Sequence, residues 1–320
     1  MRLWSSDRRR LVAVALLLAG CTTAKGYGKK NPDFLVIGHR GAPLEAAENT
    51  IPSFAAATML GAAGVETDLC VTSDRVVVIW HDRDPDSTVA LARQAGLEGL
   101  AYVPFVPPAS DPAHRPVDEL TLADLQAAYG YAPRGDASAR DPSAVIPRLS
   151  EFLAWAAAED QLRAIYLDIK LAPSQTDLAI YVFGELRAAW IAEPRLARLV
   201  TTIISPDRSI IETFVAERDR TGTDYFRVAW DFEGAGSLAG AQALGLLDVS
   251  TGLTPTRTET EYFDELESLV AARKRGDLRT ITTWTIDRRT QMFRILYYGV
   301  DAALTNEPGV LYDFWQDTLD

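Results

Sequence analysis

FLVIGHRGAPLEAAENT, residues Phe34 to Thr50, carries the decision about fold. The apolar run Phe34 to Ile37 has the length of a buried strand. Gly41 and Pro43 end it, and the Asn49-Thr50 pair opens a helix. Strand, polar loop and helix then recur. The spacing predicts strands over Phe34 to Gly38, Val65 to Leu69, Arg163 to Ile169, Leu199 to Ser205, Phe226 to Asp231, Leu247 to Ser250, Thr280 to Ile286 and Ala302 to Thr305. Amphipathic stretches lie between most of them: Ser150 to Glu159, Asp177 to Ala192, Asp207 to Arg218, Glu259 to Lys274 and Arg288 to Tyr298. Strands alternating with helices over about 250 residues predict an α/β chain whose parallel sheet closes as a (β/α)8 TIM barrel. A doubly wound open sheet competes, but no G-x-G-x-x-G phosphate loop supports it.

One region breaks the rhythm. Val76 to Trp80, after the turn residues Thr72-Ser73-Asp74, reads as a strand added in hairpin fashion to the second barrel strand. From Arg83 to Pro147 the chain is rich in proline, aspartate and alanine, with one helical piece at Thr121 to Tyr129. So long a stretch without barrel periodicity reads as a subdomain or lid inserted between the second and third barrel strands. The barrel is thus assigned to residues 34–320, with the insertion at about 83–147, and no internal repeat is visible.

With 320 residues, 48% of them hydrophobic, the chain can bury a large core. Its formal charge of −12 disfavours nucleic acid and broad contact with anionic lipid. Arg8, Arg9 and Arg10 precede an apolar run from Leu11 to Leu18, which is too short to span a bilayer and has the zones of an export signal. Leu18-Ala19-Gly20-Cys21 resembles a bacterial lipobox. That resemblance implies a signal peptide over residues 1–20, lipidation at Cys21, a tether over 21–33 and a lipid-anchored protein of the cell envelope. In the Gram-negative lipoproteins that this segment resembles, a residue such as Thr22 after the cysteine, rather than aspartate, implies the outer membrane, facing the periplasm. An ordinary signal peptide with an incidental cysteine is the alternative. Cys70 is the only other cysteine, so no disulfide framework is expected.

Barrel enzymes keep their chemistry at the carboxyl ends of the strands, and the polar residues of this chain gather there. His39 and Arg40 follow the first strand, Glu66 and Asp68 end the second, His81 and Asp82 follow the hairpin strand, and Asp168 and Lys170 finish the third. Residues two apart on a strand face the same side, so Glu66 and Asp68 should point together, as should Asp168 and Lys170. Charges aimed into a barrel mouth need partners or a metal. Glu66, Asp68 and Asp168 make a hard oxygen set suited to one divalent cation, Ca²⁺ or Mg²⁺. A salt-bridge cluster of Glu66, Asp68, Arg40 and Lys170 without metal is the competing account. With a cation bound, Arg40 and Lys170 leave a net positive mouth that a phosphodiester would neutralise. Diester cleavage removes one proton and delivers another, work for which two histidines are suited at neutral pH.

Together these residues resemble the glycerophosphodiester phosphodiesterase family. Gly38-His39-Arg40-Gly41 is similar to its H-R-G motif, Glu48-Asn49-Thr50 to E-N-T, Glu66-Thr67-Asp68 to E-x-D and His81-Asp82 to H-D. Asp168-Ile169-Lys170 stands where the family has E-x-K, Trp284-Thr285-Ile286-Asp287 where it has W-T-x-N, and Thr305-Asn306-Glu307-Pro308 where it has T-D-x-P. The resemblance implies metal-dependent hydrolysis of small glycerophosphodiesters to sn-glycerol 3-phosphate and an alcohol. In it His39 and His81 would be the acid–base pair, Glu66, Asp68 and Asp168 the metal ligands, and Arg40 and Lys170 the phosphate binders. The first nucleophile is water or the substrate's own glycerol hydroxyl. Asp168 is one methylene short of the usual glutamate, a variation that resembles barrel phospholipases D acting on sphingomyelin or lysophospholipids.

Four residues have two readings each. Glu48 and Asn49 each orient His39 or cap the first helix; asparagine favours the cap, which assigns Asn49 there and leaves Glu48 to support the site. Asp82 orients His81 or shapes a turn. Trp284 walls the substrate pocket or packs the barrel. Ser205 ends a strand without a recognisable histidine base, which argues against a serine hydrolase. A lipoprotein that binds phosphodiesters without cleaving them would keep Arg40 and Lys170 but not both histidines, and a surface scaffold would need neither the carboxylates nor the histidines.

Overall fold

The computed structural model of the chain describes residues 31–232, 236–254 and 257–319. The expected leader, Cys21 and all but the last three residues of the tether fall outside them. In chain order the elements are β1 (Leu35–Gly38), α1 (Ile51–Met59), β2 (Gly64–Val71), β3 (Val77–Ile79), α2 (Thr88–Gln94), β4 (Tyr102–Phe105), α3 (Leu122–Ala128), β5 (Gly130–Pro133), α4 (Leu149–Ala158), β6 (Ala164–Ile169), α5 (Thr176–Ala192), β7 (Val200–Ser205), α6 (Arg208–Thr221), β8 (Phe226–Phe232), α7 (Ser237–Ala243), β9 (Asp248–Gly252), α8 (Glu259–Arg275), β10 (Thr280–Trp284), α9 (Arg289–Tyr298), β11 (Ala302–Thr305) and α10 (Pro308–Leu319).

Eight of the strands run parallel in the order β1, β2, β6, β7, β8, β9, β10, β11, and β11 pairs back with β1, so the sheet closes. This is the (β/α)8 barrel expected from the alternation, and β3 adds antiparallel to β2 as the hairpin reading required.

A closed parallel sheet is buried on both faces, so its strands read as nearly continuous apolar runs. The two-residue period still sorts the side chains. Val36, Val65, Ile165, Ile203, Val228 and Ile281 turn outward into the layer between sheet and helices. Ile37, Tyr166, Ile204, Ala229 and Leu304 turn inward and fill the barrel. Continuing the inward series one step toward the carboxyl ends places His39, Asp168, Asp231 and Asn306 at the mouth. Helix termini are chemically specified: Asp207 caps α6 by accepting from the Ser209 and Ile210 amides, and Thr258 with Glu261 forms a capping box at the start of α8.

The inserted region holds more order than its sequence suggested. Besides α3, expected as the one helical piece, it contains α2 and a two-stranded antiparallel sheet of β4 and β5. Pro104 and Pro133 hid those strands, because proline is tolerated only at such sheet edges. The region has its own apolar core around Trp80, where Tyr131 and Tyr129 lie 5.1 and 6.2 Å away between ring centroids, with Leu120, Leu125 and Ile146 beneath. Trp80 directly precedes His81, so the insertion is packed against the wall that carries one of the expected catalytic residues. Among the described residues no helix is long and apolar enough to cross a membrane.

Candidate active site

The site begins where β1 ends. A Cβ on Gly38 would collide with the Gly41 carbonyl oxygen and with Ala57, so the turn admits only glycine there. Arg40 and Asn49 take positive φ angles of 56° and 57°, a region costly for side chains other than glycine, and Gly41 follows at 90°. The turn is held by its neighbours: the Arg40 amide donates to Glu66 Oε2 at 2.8 Å, and the Arg40 carbonyl accepts from Ser53 Oγ at 3.0 Å.

Glu66, Asp68 and Asp168 come together as the strand period required. One oxygen of each lies within 4.8 Å of the others, and all three residues are buried. Lys170 Nζ donates to Asp168 Oδ2 at 2.5 Å and stands 3.3 Å from Asp68 Oδ1. Among the described residues, Asp168 Oδ1 is buried with no hydrogen-bond partner. An orphaned carboxylate oxygen beside two further carboxylates is what a hard divalent cation would satisfy, so the residues present fit one. Burial, and then the charges of Asp68 and Asp168, push the Glu66 carboxyl well above its ordinary range. Asp168 is also raised, by burial first, against the pull of Lys170. Burial acts the same way on Asp68, but His81, Lys170 and Arg40 outweigh it and hold that carboxyl low. The missing methylene of Asp168 therefore does not prevent convergence.

The two histidines flank this trio and are held differently. His39 Nε2 lies 4.0 Å from Glu66 Oε2, while its Nδ1 meets Asn306 Oδ1 at 2.9 Å. Burial, with the Arg40 charge second, pulls its pKa down to about 3. His81 Nδ1 lies 2.6 Å from Asp82 Oδ1, so Asp82 orients the ring rather than shaping a turn. A cavity of about 190 Å³ opens against His81, Asp82, Ser87 and Lys170.

Arg40 sits deeper than its sequence role suggested. Its Nη1 donates to Glu48 Oε2 at 3.0 Å and lies 3.4 Å from Glu98, and its Nε is 3.1 Å from Asp68 Oδ2. Glu48 thus supports Arg40 and not His39. Asn49 is not the helix cap. Thr50 fills that place by accepting from the Ser53 amide. The Asn49 side chain instead donates to Asp68 Oδ2 at 2.7 Å and accepts from Thr67 Oγ1 at 3.0 Å, so it aims a carboxylate of the trio. Trp284 belongs with the apolar side chains inside the barrel, and its ring lies against Gly252. Ser205 Oγ donates to the Ile169 carbonyl and takes no part.

Three residues of the site had no sequence signal. Arg93, on α2, is 2% exposed. Its Nε donates to Asp82 at 2.9 and 3.2 Å, its Nη1 to Glu98 at 2.6 Å, and its Nη2 reaches Glu48. One guanidinium from the insertion therefore braces both the Asp82–His81 pair and the Glu48–Arg40 pair. Glu98 closes that network from the insertion. The third is Asp231, at the inward end of β8, which accepts from Ser250 Oγ. Burial, and then the Asp168 charge, hold its carboxyl up at about 7.

Removing one member of a buried charge network strands the others. Arg93→Met is accordingly expected to lower unfolding stability by about 3–5 kcal/mol, read as a shifted urea midpoint. It should also lower turnover in the fraction that remains folded, because Asp82 loses its second anchor. A midpoint like that of the unsubstituted chain would show the brace to be dispensable.

A comparison with known proteins agrees with this geometry. The profile of the Glycerophosphoryl diester phosphodiesterase family matches residues 39–220, more than half of the chain. The chain belongs to the glycerophosphoryl diester phosphodiesterase family. The match opens on His39 and takes in Arg40, the acidic trio, His81 and Lys170. A glycerophosphodiester phosphodiesterase of Caldanaerobacter subterraneus is 25% identical over 280 residues, which cover 87% of this chain and 96% of that one. Among solved structures, a glycerophosphodiester phosphodiesterase from Parabacteroides distasonis is 19% identical with a TM-score of 0.63, covering 92% of this chain and all of the other. A phosphodiesterase from Oleispira antarctica, solved with its product sn-glycerol-3-phosphate, is 16% identical with a TM-score of 0.61, covering 89% and 96%. At these identities the two structures speak for the barrel alone. The family assignment makes the chain an enzyme, and the matched range contains the residues of the mouth described above.

Proposed function

We propose that the mouth hydrolyses small glycerophosphodiesters to sn-glycerol 3-phosphate and an alcohol, with His39 and His81 transferring the protons. The observation that carries this reading is the placement of two imidazoles, each with its Nδ1 fixed by a side-chain oxygen, around a buried carboxylate trio with an orphaned oxygen. Fixing Nδ1 leaves each Nε2 available for proton transfer at the substrate. His39, neutral because of its burial, accepts the proton of the attacking hydroxyl or water. His81, whose ring adjoins a carboxylate, delivers one to the departing alkoxide.

Glu66, Asp68 and Asp168 would hold one divalent cation, Ca²⁺ or Mg²⁺, which when bound would draw charge from the phosphate oxygens. Lys170 offers a compact positive charge at the rim of the trio. Arg40, tied into the Glu48 and Asp68 pairs, supplies the fixed positive field behind it. The exposed arm of that cluster is Glu98, 35% accessible at its side chain and 3.4 Å from Arg40 Nη1. Lipid anchoring through Cys21 in a bacterial envelope remains part of the proposal, resting on Leu18 to Cys21 of the sequence alone.

Incubation of the protein with Ca²⁺ or Mg²⁺ and either glycerophosphocholine or glycerophosphoethanolamine tests the reading. Release of glycerol 3-phosphate with the free alcohol is expected. Release of glycerol with the phosphorylated alcohol would place the cut on the wrong side of phosphorus. Cleavage of lysophospholipids alone would move the assignment to the phospholipase D type.

A further inference from the structure

Asn306 and Asp287 stand behind His39, and their hydrogen bonds run in one direction. Asp287 accepts three: Oδ1 from Thr305 Oγ1 at 3.0 Å and from the Asn306 amide at 2.8 Å, and Oδ2 from Asn306 Nδ2 at 2.7 Å. A carboxylate only accepts, so the Asn306 side-chain NH₂ is committed to Asp287. Turning the Asn306 amide over would set its oxygen against Asp287 Oδ2 at the same distance, two acceptors in contact. Asn306 Oδ1 must therefore face His39, and the 2.9 Å contact with His39 Nδ1 can exist only if that nitrogen carries the proton.

We propose that Asp287 and Asn306 act as a relay of positioning residues that fixes the Nδ1–H tautomer of His39 and so leaves the Nε2 lone pair directed at the substrate. The inference rests on the acid–base role proposed for His39, but its central claim concerns a proton position and can be read without turnover.

The two positions carry a second observation. Asp287 stands where the resembling motif has asparagine, and Asn306 where the other motif has aspartate. The two departures are the two ends of one hydrogen bond. Exchanging the types preserves the chain of donors: an asparagine at 287 can give its NH₂ to a carboxylate at 306, which then accepts from His39 Nδ1. The asparagine at 287 would still accept from the backbone amide of residue 306 and from Thr305 Oγ1 through its side-chain oxygen. Changing one end alone does not preserve it. With Asp287→Asn, two amides face each other, Asn306 is free to turn, and its NH₂ then favours the Nε2–H tautomer, which has no lone pair toward the substrate.

The test uses the cation-loaded enzyme with ¹⁵N-labelled histidine. Only three histidines are present, and His39 is assigned by the disappearance of its signals in His39→Ala. In the unsubstituted enzyme His39 should show a protonated Nδ1 and a bare Nε2. Asp287→Asn should move the proton to Nε2 and lower kcat by about 10- to 100-fold with little change in KM. The double variant Asp287→Asn with Asn306→Asp should restore both the tautomer and kcat to within a few-fold. An Nε2–H tautomer in the unsubstituted enzyme would overturn the proposal, and this reading stands even if a variant fails to fold. So would a loss of kcat in Asp287→Asn with the tautomer unchanged, or a double variant no better than the single one. Absence of turnover in the unsubstituted enzyme would count against the proposed function, while the ring signals would still decide the relay.

Discussion

His39→Ala and His81→Ala should each lower kcat by ~10² or more, the scale of a positioned acid or base. The reason is geometric. Each ring meets a side-chain oxygen at Nδ1, Asn306 at 2.9 Å for His39 and Asp82 at 2.6 Å for His81, and both rings border the same carboxylate trio. No third histidine can substitute, because His114 is tied to the Pro107 carbonyl and Asp86 within the insertion. Two residues that work on the same transition state are not additive, so the double variant should fall little below the worse single one. Initial rates of glycerol 3-phosphate release at saturating diester give the measure, with thermal unfolding as the control for folding. A histidine whose loss leaves kcat intact has no part in proton transfer. The same assay separates a phosphodiester-binding protein from an enzyme, since a binder would release no glycerol 3-phosphate at all.

Most of this constellation was legible because the barrel imposes a rule. Inward positions recur every second residue, and chemistry sits at the carboxyl end, so His39, Asp68 and Asp168 could be placed from strand periodicity alone. Burial in parallel strands also made β2 and β6 easy to find, since every residue in both is buried. What periodicity does not encode is contact between segments distant in sequence. Arg93 lies in a short helix of ordinary composition, and nothing local marks it as the brace of Asp82 and Glu48. Asn49 was read as a cap because asparagine favours that place, but its positive φ turns the side chain away from the helix and toward Asp68. The departures at Asp287 and Asn306 were each visible. Only the fold shows that they touch.

Cation removal should have the other large effect, lowering activity and stability together. EDTA is expected to abolish diester cleavage, and Ca²⁺ or Mg²⁺ at about a hundred times its dissociation constant should stabilise the fold by ~2.7 kcal/mol, near 5 °C in Tm for a chain of this size. The gain should depend on pH. Glu66 and Asp168 have carboxyls raised above their ordinary values of 4.5 and 3.8 by burial and neighbouring charge, so in the metal-free protein folding favours the protonated form of each. Stability from such a group is present below the unfolded pKa and is lost as pH rises through the folded one. The contribution of these two carboxyls to metal-free stability should therefore fall as pH climbs above about 4.5. The increment from the cation should grow over the same range as protons cease to compete. Asp68 runs the other way in a window below 3.8, and His39, pulled from 6.5 to about 3, opposes the trend up to about pH 6.5, so the net fall is smallest below that pH. Glu66→Gln separates the two effects: it can still accept from the Arg40 amide, yet it removes the charge that burial disfavours. That variant should be more stable than the unsubstituted chain when both are metal-free at neutral pH, should gain little from Ca²⁺ or Mg²⁺, and should be inactive. A Glu66→Gln protein that keeps the full cation increment would remove Glu66 from the ligand set. One that is destabilised without metal would show that Glu66 is paid for by the Arg40 and Lys170 charges rather than held in reserve for a cation.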